Sequence, residues 1–442
     1  MPTPDGMDSR RVALPLAVLL LSVAVIGAAA VGAGGGTPAQ QQSPANETAP
    51  ANATVYPGNT LLGVQAYGWF GNNNGSARVV NPEGEIVWEW APENGRVFDV
   101  EALENGNVLA SVAIVPEDCP PRYGDTCVHN RVVELDYPNR NVVWEYDWYD
   151  VFPNHHEVHD ADRLENGETA IIDMGNNRAF TVNEAGDVTW QWNATEHISE
   201  GTPFFEEYVP EGSEEEFRQG GPESDWTHMN DIDRLDNGNF QLSIRNFDVL
   251  LEVDPETNEI VDVVGRPTDH SVMNEQHNPM RLNGTVLIAD SENDRVVEVD
   301  VETDEVVWEY DGTGSGELLQ WPRDVDRLPN GNTLVTDSRN FRLLEIDRTG
   351  EVVWSYKMKA ERGIVYEADR MSVPEEQARV SGEGFQSRTS DGPLGSALAT
   401  ADSWLGFVPF LPTWMGPVEV LALLTALGSV GFLGVQRRRG AL

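Results

Sequence analysis

Histidines recur at one position of a repeated sequence motif in this chain. Each copy of the motif begins with an apolar pair or Asp-Arg-Leu, followed by an Asn-Gly turn. A β-rich run comes next, and the copy closes with a short segment that ends in Trp. When the copies are aligned on the Arg-Leu position, the residue four before the Arg is, in order, Phe98, His159, Asn230, His277, Arg323 and Tyr366. His228 precedes Asn230 by two, and in an extended strand both side chains would point to one face. Neutral histidines are potential bases or nucleophiles, and Arg and Asn donate hydrogen bonds to anions.

This set of side chains favours an oxyanion such as sulfate or phosphate as its ligand. Three histidines could hold zinc. In a site without carboxylates the zinc ion and the neighbouring Arg would repel each other, so we predict no metal. The chain has no GxxxxGK[ST] loop and no Ser or Cys nucleophile motif, and we predict no cofactor. The plainer interpretation is that each histidine is a polar loop residue. The recurring arginines of the Arg-Leu pairs are interpreted as structural, namely Arg163, Arg234, Arg281 and Arg327.

The repeat predicts the elements that position these residues. Asn-Gly turns begin at Asn105, Asn166, Asn237, Asn283 and Asn330, with spacings of 61, 71, 46 and 47 residues. The last two spacings are typical of one propeller blade, and Asn-Gly between β-rich runs favours a two-residue hairpin turn. Six closing segments follow the turns, and five of them carry a Trp in register, at Trp88, Trp144, Trp190, Trp308 and Trp354. The sequence therefore predicts an all-β, six-bladed β-propeller whose innermost strands bring the six aligned residues to one pocket.

The two ends of the repeat region complete each other. The region begins with PGNTLLGV, which lacks the first strand of a unit, and residues 365–371 supply a matching strand at the other end. We therefore predict that the C-terminal strand completes the N-terminal blade and closes the ring.

Composition limits the possible partners. The formal charge is 29 − 73 = −44 and the acidic residues are spread over the whole chain. Phosphate binding needs a basic footprint, so we predict no nucleic-acid partner. Dense carboxylates on a solvated surface are typical of a halophilic protein.

Apolar segments near both ends predict attachment to a membrane. We predict a cytoplasmic basic region at 1–11, a transmembrane segment or export signal at 12–33, a flexible linker at 34–57, the propeller at 58–373 and a second flexible linker at 374–403. A transmembrane helix at 417–435 and a cytoplasmic basic tail at 436–442 follow. Whether the first segment is cleaved stays open. The propeller is predicted to lie on the extracellular face of the cell membrane.

Two further signals agree with an extracellular position. Glycosylation sequons begin at Asn46, Asn52, Asn74 and Asn193. The only cysteines, Cys119 and Cys127, can form a disulfide across one loop in an oxidising compartment, the alternative being two free thiols.

From these residues the chain resembles the arylsulfotransferase family, six-bladed propellers that act outside the cytoplasm, and specifically a membrane-anchored member from a haloarchaeon. The resemblance rests on the His-Asp unit at His159, the His-x-Asn triplet from His228 followed by Ser243-Ile244-Arg245, and the Gln-His-Asn unit at His277. It implies transfer of a sulfuryl group from an aryl sulfate donor to a phenolic acceptor through a sulfated histidine, without a nucleotide donor. His277 would be the nucleophile. The residues implied to hold the sulfuryl oxygens are His159, His228, Asn230 and Arg245, and Arg323 is expected to face the same pocket.

Two features depart from the family pattern and leave another interpretation open. The chain lacks the large extra N-terminal domain of bacterial members, and no acceptor-binding residues can be matched, although Phe98, Trp321 and Tyr366 could form aromatic walls. The alternative function is a non-catalytic cell-surface propeller that binds a ligand or a protein partner, since a propeller fold alone implies no function.

Overall fold

The computed structural model describes residues 54–389, with gaps at 67–74, 152–153, 222, 314, 316, 359–362, 372, 374–380 and 383. The described residues form six four-stranded antiparallel sheets. The prediction of an all-β, six-bladed propeller is confirmed.

The strands of each blade are given from the innermost outward. Blade 1 comprises β24 (Ile364–Arg370), β1 (Thr60–Gln65), β2 (Ser76–Val80) and β3 (Ile86–Trp90). Blade 2 comprises β4 (Gly95–Ala102), β5 (Val108–Ile114), β6 (Val128–Asp136) and β7 (Asn141–Asp150). Blade 3 comprises β8 (Val158–Arg163), β9 (Thr169–Asp173), β10 (Arg178–Val182) and β11 (Val188–Asn193).

The other three blades follow the same order. Blade 4 comprises β12 (Met229–Arg234), β13 (Phe240–Ile244), β14 (Val249–Val253) and β15 (Ile260–Val264). Blade 5 comprises β16 (His277–Arg281), β17 (Thr285–Asp290), β18 (Arg295–Asp300) and β19 (Val306–Tyr310). Blade 6 comprises β20 (Pro322–Arg327), β21 (Thr333–Asp337), β22 (Arg342–Ile346) and β23 (Val352–Lys357).

Short helices lie between the strands. The α-helices of the described chain are α1 (Ala194–His197) and α2 (Pro203–Tyr208), and its 3₁₀ helices are Pro121–Tyr123, Met174–Asn176, Arg245–Phe247 and Ser291–Asn293. The insertion in the third repeat folds onto the propeller, because Phe205, Phe217 and Trp226 share a buried cluster with Phe247 of blade 4. This cluster fixes the loop that leads into β12.

The ring closes as predicted. Strand β24 pairs with β1 in the register Thr60↔Arg370 and Leu62↔Ala368, so the two ends of the repeat region form one blade. Strand β24 thereby covers the edge of β1 that would otherwise be unpaired.

Removing β24 should therefore unfold the protein. Val365, Tyr366 and Ala368 are at most 1% exposed, and burying side chains of this size is worth about 1.5–3 kcal/mol each for the larger ones. A chain truncated before Ile364 also exposes the edge of β1, and we expect no cooperative melting transition by circular dichroism. A control truncated after Thr389 keeps every described residue and should melt like the full chain. Equal melting of both truncations would contradict the closure.

The repeated tryptophans and arginines join neighbouring blades. The indole N–H of Trp88 donates to the Pro138 carbonyl of blade 2 at 3.1 Å, and that of Trp354 donates to the Pro82 carbonyl of blade 1 at 2.8 Å. The buried guanidinium of Arg327 pairs with Glu298 of the preceding blade at 2.8 Å. Arg163 pairs with Glu134 and Arg281 with Glu252 in the same way. These contacts support the structural interpretation of Arg163, Arg281 and Arg327, whereas Arg234 lies over the Phe240 ring of its own blade, 4.5 Å from the centroid.

The Asn-Gly turns differ from the predicted two-residue hairpin. Only the Gly of each pair has a positive φ, for example 84° at Gly106 and 88° at Gly238. In four of the five turns the Asn side chain instead accepts the backbone N–H two residues on, as Asn105 does from Asn107 at 2.9 Å. The Asn side chain stabilises a longer turn, so the left-handed conformation falls on Gly alone.

Part of the predicted second linker packs against the propeller. Within residues 374–403 the structure describes 381–382 and 384–389, where Gly382 N donates to Glu298 and Arg388 N donates to Glu309 O at 3.0 Å. The indole N–H of Trp308 donates to Gln386 O at 3.3 Å. A disulfide joins Cys119 to Cys127, with the two Cα atoms 5.9 Å apart.

The predicted transmembrane segments at 12–33 and 417–435 lie outside the described residues, as do the basic ends at 1–11 and 436–442. Across the described part of the chain, no helix is both long and apolar enough to cross a membrane.

Candidate active site at the propeller axis

A β-bulge marks the site in all six innermost strands. The ladders shift register between Val158 and Ala161 in blade 3, between Met229 and Asp231 in blade 4 and after His277 in blade 5. Equivalent shifts lie at Phe98, Arg323 and Tyr366. A bulge re-aims side chains that a regular strand would alternate between its two faces. The shared bulge is why the aligned residues meet.

Aromatic contacts show which of these residues come together. Tyr366 lies between two histidines, with its ring centroid 6.0 Å from His277 and 5.9 Å from His159. The His159 ring is 5.0 Å from His228 and 4.7 Å from Phe98. The three histidines thus belong to one group of contacting rings that includes Phe98 and Tyr366.

His228 joins this group, but not through the extended strand that the sequence suggested. It has φ 45° and lies just before β12, and Glu275 (φ 48°) and Trp321 (φ 54°) are its counterparts in blades 5 and 6. Non-glycine residues adopt this left-handed conformation only when their surroundings hold them there, and such residues cluster at functional sites. The backbone N–H of Trp321, for example, donates to Asp294 at 2.8 Å.

The tautomer of His277 follows from its hydrogen bonds. His277 Nδ1 lies 2.8 Å from Ser291 Oγ, and that hydroxyl lies 2.7 Å from the Pro322 carbonyl oxygen. A carbonyl can only accept, so the Ser291 hydroxyl donates to it and must accept from His277 Nδ1–H. Nε2 of a neutral His277 therefore carries a lone pair.

The three histidines are neutral at neutral pH. Burial, and then the charges of Arg323 and Arg245, lower the pKa of His277 far below its usual range. Burial and the neighbouring His228 do the same to the pKa of His159. Burial and Arg245 lower the pKa of His228 to about 4, against the opposite effect of Asp225. The site thus combines neutral imidazoles with permanent cations.

Arg323 is a buried cation that contacts the aromatic rings of the site. Its guanidinium lies 3.9 Å from the Trp321 ring centroid and 4.5 Å from that of Tyr366, and Nη1 donates to Gln65 Oε1 at 2.5 Å. Burial lowers its pKa to about 9, so it stays charged at neutral pH. Among the described residues, Nε and the Tyr366 hydroxyl have no hydrogen-bond partner. These groups are placed to receive an anion.

Arg245 and Asn230 are held more firmly by the protein. Arg245 begins the 3₁₀ helix after β13, contacts the Glu275 carboxylate and donates to Asn246 Oδ1 at 2.7 Å. The Asn230 amide donates to the Gln276 carbonyl at 2.7 Å, next to His277. Asn230 therefore positions the strand that carries His277 and has one N–H left for a ligand. Binding of sulfuryl oxygens by His159, His228, Asn230, Arg245 and Arg323 stays a prediction.

Sequence reasoning missed several residues around the site. Asp225 contacts His228 Nδ1 through both carboxylate oxygens at 2.8 Å, and its Oδ2 lies 3.3 Å from Nδ1 of His155. These three residues present ligand atoms within 4.8 Å of one another, as do Asp99, Asp160 and Glu367, which directly follow three of the aligned positions. Ser291 occupies the position in blade 5 that Arg245 occupies in blade 4, seven residues after the turn Gly. This shared position in the repeat was the signal in the sequence that could have identified Ser291.

A ring of buried carboxyl groups adjoins the site. Each is the residue directly after an aligned position, as in Asp99, Asp160 and Asp324. The Asp99 carboxylate accepts the Ala161 N–H of the next blade at 3.1 Å, and Asp324 accepts the Ala368 N–H at 2.9 Å. These groups join inner strands, and burial raises the pKa values of Asp99 and Asp324 to about 7.

Stability should therefore fall as pH rises through neutrality. A carboxyl group whose pKa is higher in the folded state than in the unfolded chain stabilises the fold at low pH, and this stabilisation is lost as pH rises through the folded-state pKa. We expect the melting temperature to fall between about pH 5 and pH 8 in high salt. The Asp99→Asn variant, which imitates the protonated acid, should show a shallower slope. A melting temperature that rises over this interval would contradict the assignment.

A wide recess lies at the opposite end of the inner strands. Its volume is about 1170 Å³, and its lining includes Asp162, Arg163, Asp233, Arg234 and Arg281. Arg163 and Arg281 there make the blade contacts described above, and no histidine lines the recess. We therefore place the chemistry at the histidine end.

Comparisons with known families agree with the sequence prediction. Residues 94–277 match the family model described as arylsulfotransferase (ASST), and this segment includes His159, His228 and His277. Residues 243–388 match the model of the outer membrane protein assembly factor BamB. The resemblance to arylsulfotransferases is confirmed over the first of these ranges. A search of curated proteins finds no significant match.

Solved structures similar to this chain are remote. A protein of unknown function from Bacteroides caccae is 18% identical with a TM-score of 0.48, and the match covers 71% of this chain and 98% of that one. Virginiamycin B lyase from Staphylococcus aureus is 9% identical with a TM-score of 0.39, and the match covers 68% of this chain and 86% of that one. Neither likeness bears on function.

Proposed function

We propose, on the premise that residues 94–277 carry an arylsulfotransferase domain, that this propeller moves a sulfuryl group from an aryl sulfate to a phenol. The observation that carries the proposal is His277, a buried neutral imidazole whose Nε2 lone pair is left free by the Ser291 contact, with Arg245 and Arg323 close enough to lower its pKa.

The first half-reaction would sulfate His277. Its Nε2 lone pair attacks the sulfur, and the bond from sulfur to the aryl oxygen breaks. Charge is carried by the sulfuryl oxygens, and fixed donors aimed at them lower the barrier. Arg323 and Arg245 supply permanent charge, and one N–H of Asn230 is free to contribute.

The second half-reaction would return the group to a phenol. Because Nδ1–H of His277 is held by Ser291, the sulfated ring is an imidazolium, and neutral imidazole is its leaving group. A phenol oxygen then attacks the sulfur and regenerates the starting histidine. Covalent catalysis of this kind gives ping-pong kinetics. Phe98, Tyr366 and Trp321 are suited to pack against the aryl rings.

An assay of release and transfer tests the proposal. The full chain in high salt is given para-nitrophenyl sulfate with and without phenol, and both nitrophenol and phenyl sulfate are measured. Phenol should accelerate nitrophenol release, with phenyl sulfate formed in equal amount. Release without phenyl sulfate would indicate a sulfatase, and a folded chain that releases nothing would contradict catalysis.

A second candidate function rests on the other family match. Residues 243–388 resemble a protein named as an assembly factor, so a non-catalytic propeller that binds a partner is the alternative. The same assay separates the two, since a binding propeller neither releases nitrophenol nor forms phenyl sulfate.

We also propose that the propeller acts outside the cell, anchored to the membrane of a halophile. The sequence supports this through the segments at 12–33 and 417–435 and the net charge of −44. A disulfide between Cys119 and Cys127 suits an oxidising compartment. Protease treatment of intact cells should remove the propeller if it is external and spare it if it is cytoplasmic.

A further inference from the structure

Sulfuryl transfer between phenols requires a proton to be given and taken back. In the first half-reaction a phenolate leaves and needs a proton to become a phenol. In the second half the acceptor phenol loses a proton as it attacks. His277 cannot serve, because its Nε2 holds the sulfuryl group and its Nδ1–H is held by Ser291. A second group at the site can carry the proton in its place.

His228 has the geometry for this role. Both oxygens of the Asp225 carboxylate lie 2.8 Å from Nδ1 of His228. Burial raises the pKa of Asp225, but the hydrogen bonds of His155 and His228 outweigh this and bring it well below its usual range, so Asp225 is ionised. An ionised carboxylate can only accept, so His228 Nδ1 keeps its hydrogen. Nε2 of His228 is then free to bind or release a proton beside His159, 5.0 Å away between ring centroids.

Asp225 also connects the site with solvent. His155 lies on the other side of the carboxylate, with Nδ1 3.3 Å from Asp225 Oδ2, and its side chain is 50% exposed. The hydrogen bond to Asp225 raises the pKa of His155. The other titratable or charged groups that face His228 are Arg245, His159 and His277. His228 is thus the inner member of a chain His155–Asp225–His228 that leads from the surface to the site.

We propose that His228 is the catalytic acid and base of the sulfuryl transfer, with Asp225 as its positioning residue and His155 as a second histidine that contacts the Asp225 carboxylate from the solvent side. This rests on the proposed function. In the first half, His277 Nε2 forms the bond to sulfur, the electron pair of the broken bond stays on the aryl oxygen, and that oxygen takes a proton from His228 Nε2. In the second half, the acceptor gives its proton to His228 Nε2, its oxygen bonds to sulfur, and the electron pair of the nitrogen–sulfur bond returns to His277.

The resting charge of the site agrees with this sequence of steps. His228 is neutral in the empty site because burial and Arg245 oppose its imidazolium. An anionic donor offsets Arg245 and favours a protonated His228, so the proton enters together with the donor. The carboxylate of Asp225 then stabilises the imidazolium without taking the proton itself.

The test compares two donors that differ in their need for an acid. Nitrophenolate leaves readily without a proton, whereas the phenolate of phenyl sulfate does not. In the Asp225→Asn variant the new side-chain amide would donate its N–H to His228 Nδ1, so the hydrogen of the ring would move to Nε2. Nε2 would then have no lone pair to take up a proton, which removes the base. We expect Asp225→Asn to lower kcat/KM about 10²-fold or more for phenyl sulfate. For para-nitrophenyl sulfate the loss should be less than about 10-fold.

Three controls separate this role from a structural one. The His129→Gln variant breaks another His–Asp pair, His129–Asp147 at 2.8 Å on the surface, and should leave both donors unchanged. The Tyr366→Phe variant removes another buried hydroxyl that could supply a proton, and it should affect both aryl sulfates equally. Treatment of the wild type with a chelator should change neither rate. Circular dichroism confirms that each variant is folded.

Four outcomes would overturn the proposal. Equal losses with both donors in Asp225→Asn would leave the sulfotransferase intact and remove His228 as its acid. A donor-dependent loss in Tyr366→Phe alone would assign the proton to Tyr366. Loss of activity with a chelator and its return with zinc would make His155, Asp225 and His228 metal ligands. A wild type that releases phenol from neither donor would end this proposal together with the proposed function.

Discussion

The His277→Ala variant is expected to lose about 10⁴-fold or more of the turnover of para-nitrophenyl sulfate while keeping its fold. The imidazole is 1% exposed and lies at the edge of blade 5, where its Nδ1 contacts Ser291 and its ring faces Tyr366 and Trp321. Without it, the imidazole that Ser291 orients is gone, and His228, whose Nδ1 is held by Asp225, is assigned to proton transfer. The charged groups of the site would still act on a bound donor, but no nucleophile would attack its sulfur.

Two comparisons separate a lost nucleophile from a damaged fold. Added imidazole should restore part of the release by the Ala variant, because the vacated space has the shape of the ring. His197→Ala removes a histidine outside the site, stacked on Trp192 with ring centroids 5.1 Å apart. That control should keep full activity. Activity within about 10-fold of the wild type in a folded His277→Ala variant would contradict the nucleophile.

The Arg323→Gln variant is expected to lower kcat/KM for the donor by about 10²–10³-fold. The guanidinium is 7% exposed, is stacked between Trp321 and Tyr366, and has an Nε–H with no partner among the described residues. A buried permanent charge in this position stabilises the sulfuryl oxygens as the phenolate leaves. Arg323→Lys keeps the charge but lacks the planar fork, so it should recover only part of the loss.

A matched variant tests whether position or net charge matters. Arg339 also contacts Trp321, at 4.0 Å from the ring centroid, but is not one of the six aligned residues. Arg339→Gln changes the net charge by the same amount and should cost less than about 10-fold. Equal losses in the two Gln variants would mean that Arg323 acts only through the overall field. Unchanged kinetics in Arg323→Gln would remove it from the site.

Much of the fold could be predicted because each copy of the sequence repeat forms the same set of strands. The register of the Trp-containing segments follows from the contact that each indole makes with a neighbouring blade, as Trp88 does with Pro138. Closure by residues 365–371 was predictable for the same reason, because a missing strand and a surplus strand had matching patterns. The turn geometry was not, since it depends on whether the Asn105 side chain accepts the Asn107 N–H or Asn105 itself adopts a positive φ.

The candidate site was only partly predictable. Five of the six aligned residues contact one another where the inner strands bulge, and a bulge leaves no signature in residue types. His228 reaches the site through a left-handed backbone rather than an extended one. Asp225 and Ser291 come from loops outside the aligned strand, so only folding shows that they hold His228 and His277.

Capture of the sulfated enzyme tests the central claim most directly. The full chain is mixed with para-nitrophenyl sulfate in the absence of any phenol acceptor, quenched under alkaline conditions and digested for peptide mass spectrometry. We expect a mass increase of one SO₃ group on the peptide that contains His277, located to that residue by fragmentation and discharged when phenol is added before the quench. Nitrophenol release by a wild type whose His277 peptide stays unmodified, or a label on another residue that phenol discharges, would contradict the account.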